Sequence, residues 1–104
     1  MDEINLYHQY LVDIELPETL TPEFMSLIPE QRAQVNELMN EGTILSYTLA
    51  LDRSRLWVII VARSEEEVDE VLDSMPIMEF SFATIHELMF HETNARELPR
   101  ISLN

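Results

Sequence analysis

Two histidines, His86 and His91, and one carboxylate, Glu79, are the side chains of this 104-residue chain best placed to move a proton. His86, next to Glu87, can act as a general base near neutral pH. Glu79 falls just before the last apolar stretch, where the mouth of a pocket would open, and is the candidate acid or base of carboxylate type. His91 sits at the end of that stretch. Each has a plainer structural role open to it, as a hydrogen-bonded interface histidine or a solvated carboxylate. Tyr7, Tyr47 and Trp57 each combine an apolar body with one O–H or N–H, which suits them to orienting a ligand and equally to packing in a protein interface. No two histidines stand four apart on a helix, and there is no cysteine. Thiolate nucleophiles, disulfides and cysteine metal sites are thereby excluded, and neither a metal nor a cofactor is called for.

The surroundings of these residues are strongly acidic. Twenty Asp plus Glu against six Lys plus Arg give a net charge of −14. Such a chain repels phosphate backbones and anionic lipid, so neither nucleic acid nor a membrane surface is an expected partner. The opening MDEINLY is acidic where a secretory leader would be basic, and no apolar run reaches the length of a membrane span. A cytoplasmic location is the expectation. A hydrophobic fraction of 46% with a single glycine describes one globular domain.

The elements that must carry these side chains follow from periodicity. Residues 5–15 alternate as a strand, with Leu6, His8, Tyr10, Val12 and Ile14 on one side and Tyr7, Gln9, Leu11 and Asp13 on the other. Thr21-Pro22-Glu23 starts a helix, whose apolar stripe runs through Phe24, Leu27, Ile28, Val35, Leu38 and Met39. Pro29 either kinks or splits it, and Gly42 closes it with a left-handed cap. Residues 43–63 read as a hairpin about a three-residue turn, Asp52-Arg53-Ser54. That register puts Leu45, Tyr47, Leu49, Trp57, Ile59 and Val61 on one face. Ser64 and Glu67 form a capping box for a second helix through Val68, Val71, Leu72 and Met75, which Pro76 ends. Residues 80–92 form a last strand, with Phe80, Phe82, Thr84 and His86 on one side. Residues 1–92 make the domain, and 93–104 read as a tail with Leu98, Ile101 and Leu103 as possible anchors.

Strand, helix, strand, strand, helix, strand is the ferredoxin-like βαββαβ order: an α+β fold whose four-stranded antiparallel sheet carries two helices on one face. The helix-free face would then expose Tyr7, Gln9, Leu11, Leu45, Tyr47, Leu49, Trp57, Ile59, Val61, Phe80 and Phe82. So large an apolar surface calls for a partner. The simplest is a second copy packed sheet to sheet, with a small apolar ligand between the two sheets.

LPETLTPEF (16–24), LMNEGTIL (38–45), RSEEEVDEVLDSMP (63–76) and MPIMEFSFATIHEL (75–88) together resemble the muconolactone delta-isomerase family of the dimeric α/β-barrel superfamily. The resemblance implies a homodimer or larger ring and a cofactor-free isomerase that shifts a double bond in a small carboxylated lactone by proton transfer, in the breakdown of aromatic compounds. It aligns His91 with a histidine near the family's C-terminal end. At positions where relatives carry charged side chains this chain has Gln9, Leu11, Leu49 and Phe82.

Three readings follow. In the first, the chain is an isomerase with His86, Glu79 and His91 as proton-transfer candidates and Tyr7, Gln9, Tyr47, Leu49, Trp57, Phe82 and Thr84 lining the ligand site. In the second it is a ligand-binding or assembling member without turnover, which the neutral side chains at those positions favour. In the third it oxygenates a hydrophobic aromatic without a cofactor.

Overall fold

The structure, a computed structural model, describes residues 6–94. The expected strand start at Asn5 and the tail anchors Leu98, Ile101 and Leu103 lie outside the described residues. Strand β1 spans His8–Glu15 and is followed by two helical pieces, α1 (Pro22–Met25) and α2 (Ile28–Asn40). Strands β2 (Ile44–Leu49) and β3 (Arg55–Ala62) form the hairpin. Helix α3 (Glu65–Asp73), a 3-10 turn at Pro76–Phe80 and strand β4 (Phe82–Glu87) complete the chain. The sheet order is β2-β3-β1-β4 with every pair antiparallel, which is the ferredoxin-like α+β arrangement.

Local chemistry explains the boundaries. The Thr21 hydroxyl accepts from the Phe24 N–H at 3.1 Å, and Pro22 occupies the first helical position of α1. The first helix is split rather than kinked. Pro29 stands in the opening turn of α2, where its missing N–H costs nothing, and α1 ends just before it. Gly42, at φ +85°, ends α2 in a Schellman cap: its N–H donates to Met39 O at 3.1 Å and the Thr43 N–H donates to Leu38 O at 2.9 Å. Ser64 caps α3 by accepting from the Glu67 N–H at 3.2 Å. The Glu67 carboxylate reaches back past Ser64 to accept from the Arg63 N–H at 2.6 Å.

One face of the sheet makes the core. Tyr10, Val12 and Ile14 of β1 and Leu56, Val58, Ile60 and Ala62 of β3 pack against Phe24, Val35 and Leu38 from the first helical pair and Val68 and Leu72 from α3. Both helical pieces and α3 therefore cover the same face.

Two sequence expectations about the sheet are corrected. The hairpin turn has four residues, Leu51–Ser54, because the Ala50 N–H donates to Arg55 O at 2.9 Å. Arg53 takes the left-handed conformation there (φ 64°), and Asp52 accepts from both the N–H and the hydroxyl of Ser54. The extra residue moves the register by one, so Tyr47 faces Val58 and Leu49 faces Leu56, both on the helix-covered side. A bulge between Ile44 and Ser46 breaks the alternation and shifts the register back, so that Ile44 still packs in the core. The last strand is also shorter than expected. Pro76 winds residues 76–80 into the 3-10 turn, and the Phe80 ring stands edge-on to Phe24, 6.2 Å between centroids, so Phe80 belongs to the core side and not to the open face. Pairing ends at Glu87, with one more bond from the Leu88 N–H to Gln9 O.

Burial separates positions that are alike in composition. Ile60→Ala, at a side chain with no exposed surface, is expected to cost about 2–5 kcal/mol by cavity formation. Leu51→Ala at the exposed hairpin tip should stay within about 0.5 kcal/mol. Urea unfolding of the two variants checks the contrast.

Candidate functional site

The register of β2 builds a pocket on the covered side of the sheet. A cavity of about 650 Å³ lies between α1, α2 and the β2–β3 hairpin, within the usual size for a small-molecule site. Its walls are apolar: Leu16 and Leu20 from the loop after β1, Phe24 and Ile28, Val35, and Leu56 and Ile77 on the inner side. Met25, Met39 and Leu49 also line it and are about half exposed, which places them towards the opening. The polar lining is Gln31, Arg32, Asn36, Tyr47 and Arg53.

Gln31 and Tyr47 are the polar core of this pocket. Gln31 is the one buried polar residue among those described, 3% exposed. Its Nε2 donates to the Tyr47 hydroxyl oxygen at 3.1 Å, and its Oε1 accepts from the Ile77 N–H at 3.2 Å. Burial pushes the Tyr47 pKa above its usual value. The Gln31 hydrogen bond and the nearby positive charge of Arg32 pull the other way without cancelling it. Tyr47 is thus a neutral phenol at physiological pH. Arg32 and Arg53 take part in no ion pair among the described residues, although the chain carries twenty acids. Two of the chain's six basic side chains therefore border one apolar pocket, both exposed to solvent and neither in an ion pair with a described residue.

The residues singled out from the sequence divide between two places. Tyr47 and Leu49 line this pocket, on the side opposite to the one expected for them, because of the one-residue register shift. Gln9, Trp57, Phe82, Thr84 and His86 share the helix-free face, where Leu11 pairs with both Ile59 and His86, and Asp13 with both Trp57 and Thr84. His86 is exposed there, and Phe82 is 68% exposed. Glu79 is exposed on the 3-10 turn, and His91 is partly buried beyond β4. Tyr7 lies before β1 with the Arg63 guanidinium 5.5 Å from its ring centroid. His8 pairs with Glu87 at 3.3 Å on the covered side, near the sheet's end.

Three features escaped the sequence reading. Gln31 occupies a position of the helix stripe between Ile28 and Val35, so a polar side chain on an apolar face was the available signal. Arg32 and Arg53 carried no local signal. They come to line one pocket only because the hairpin folds beside α2. On the helix-free face, Arg55 Nη1 donates to Asp13 Oδ1 at 2.8 Å, and this contact raises the Arg55 pKa. That pair, together with the departure of Tyr47, Leu49 and Phe80, makes the face less apolar than expected.

The profile of one protein family, muconolactone delta-isomerase, matches residues 6–94. The chain belongs to the muconolactone delta-isomerase family. No curated protein matches it. Membership agrees with the four-stranded sheet and its helices. Among the described residues of this family member, no helix is long and apolar enough to cross a membrane, and no three His, Cys, Asp or Glu gather as metal ligands.

The raised Tyr47 pKa gives an alkaline signature. Between the unfolded and folded pKa values the native state keeps a proton that the unfolded chain has lost, so this stabilisation is complete below about pH 10 and is lost as pH rises through the folded pKa. Tyr10, raised by burial and then by Glu87, Glu65 and Glu67, acts in the same direction. Tyr47→Phe is therefore expected to flatten the alkaline fall in stability without abolishing it. Urea midpoints measured from pH 8 to 11 check this.

Proposed function

We propose that this family member takes up a small carboxylated lactone in the pocket between α1, α2 and the hairpin, and shifts its double bond by proton transfer. The observation that carries this is that the exposed Arg32 and Arg53 and the half-buried Tyr47 line the same apolar cavity. Guanidinium groups are the side chains best matched to a carboxylate. The apolar walls suit the ring. When a proton leaves carbon next to the unsaturated lactone, charge moves onto the carbonyl oxygen. A neutral phenol there donates a hydrogen bond that strengthens as the charge develops. The proton then returns at the far end of the conjugated system, so the bond shift needs no oxidant or reductant. Glu79 is exposed and does not itself line the cavity; it is assigned here as the proton acceptor through one intervening water, by its place in the 3-10 turn whose Ile77 does line it. His86 and His91 lie on other parts of the fold. The helix-free face, with the half-buried Trp57 and the exposed Phe82, supports sheet-to-sheet association of two copies as the scaffold.

A specific observation favours a second reading, binding without turnover: among the described residues no Asp, Glu or His lines the cavity. The two part on a single assay. Purified protein incubated with muconolactone, followed by ultraviolet absorbance, should show loss of substrate. Tyr47→Phe should lower kcat/KM by about tenfold or more, the scale of one hydrogen bond to a developing charge. Arg32→Ala and Arg53→Ala should each raise KM more than they lower kcat, and Glu79→Gln should lower kcat. Saturable binding by calorimetry with no turnover would establish the second reading. Absence of both would remove the lactone site.

A further inference from the structure

Gln31 is a buried amide with both ends committed. Its carbonyl end accepts from the Ile77 N–H and its NH2 end donates to the Tyr47 hydroxyl, at 3.2 and 3.1 Å. The amide cannot be turned round, because the NH2 group would then face the Ile77 N–H, donor against donor. Ile77 holds that N–H rigidly, being 2% exposed in the 3-10 turn that packs against α2. The fold thus fixes which end of Gln31 Tyr47 meets. A hydroxyl has one hydrogen, and once its oxygen accepts from Gln31, that hydrogen has to point elsewhere. No other described residue accepts it. The remaining direction is the cavity, which Tyr47 and Gln31 both line.

We propose that Gln31 is a positioning residue: by donating to Tyr47 it commits the tyrosine proton to the ligand and makes the pocket selective for an acceptor atom at that point. A carbonyl or carboxylate oxygen is taken there, and a group that can only donate, such as an amide N–H, is refused. This rests on the ligand pocket proposed above and adds the device that sets its polarity. The chain of command runs from the Ile77 backbone through the Gln31 amide to the Tyr47 hydroxyl, so the specificity is written in the fold of a segment 30 residues from Tyr47.

Two variants and two readouts test it. In protein labelled at the tyrosine ring, the Tyr47 resonance, assigned by its loss in Tyr47→Phe, is titrated by NMR in the absence of ligand. Gln31→Glu offers acceptors to both Ile77 and Tyr47, reverses the hydroxyl and should raise the Tyr47 pKa by about one unit or more. Gln31→Met, which keeps the shape if the carboxylate does not fold, removes the donor and should also raise it. The second readout is calorimetric affinity for an uncharged unsaturated lactone, chosen so that no carboxylate repulsion enters. Gln31→Glu should weaken it about tenfold, and in a Tyr47→Phe background the same change should alter affinity less than about twofold. A Tyr47 titration unmoved in both folded variants would overturn the proposal, as would equal loss of affinity with and without the hydroxyl. If the unmodified protein binds no lactone, the pocket's proposed ligand fails, while the titration still decides the role of Gln31.

Discussion

The register of β2 against β3 is the constraint on which the site depends. Side chains alternate across a sheet with period two, so one residue more or less in the hairpin turn moves a whole strand's side chains to the other face. The four-residue turn, stabilised by the Asp52–Ser54 bonds and a left-handed Arg53, places Tyr47 and Leu49 under the helices. The same turn brings Arg53 to the lining of the pocket. Strain at one exposed tip is thus tied to the position of the phenol and of a cation.

Electrostatics make that placement consequential. With a net charge of −14, the protein as a whole repels anions, and only a local concentration of positive charge can hold one. Arg55 is engaged by Asp13 and Arg63 lies against Tyr7, whereas Arg32 and Arg53 share a cavity with the apolar side chains of α1 and α2. An anionic ligand with an apolar body fits that combination. The surrounding acid would disfavour nonspecific anion binding elsewhere on the surface.

Much of the fold was legible because its signals are local. Thr21-Pro22, Gly42 and Ser64 with Glu67 mark helix ends through their own hydrogen bonds, and the alternation of β1 and the continuous apolar run of β3 mark the sheet. The family resemblance was legible in the same segments, and the family profile spans the chain from residue 6 to 94. The site was less so. Tyr47 and Leu49 were recognised as candidates, but the face they occupy turns on whether Leu51 belongs to the strand or to the loop. That is decided by a backbone bond between Ala50 and Arg55 and by the bulge at Ile44–Ser46, neither of which leaves a pattern in residue type. Gln31 was passed over because a polar residue on an apolar helix stripe acquires meaning only when its two partners, 16 and 46 positions away, are known.

The central claim is that ligand enters the helix-covered side of the sheet and not the helix-free face. The chain's only tryptophan, Trp57, lies on the helix-free face, while Met25 and Met39 line the pocket. Adding muconolactone to protein labelled at the methionine methyls and the indole N–H is the direct measurement. The account expects the Met25 and Met39 methyl resonances to shift along a saturable curve while the Trp57 indole resonance stays in place. A shifting Trp57 with both methionines unmoved would contradict it.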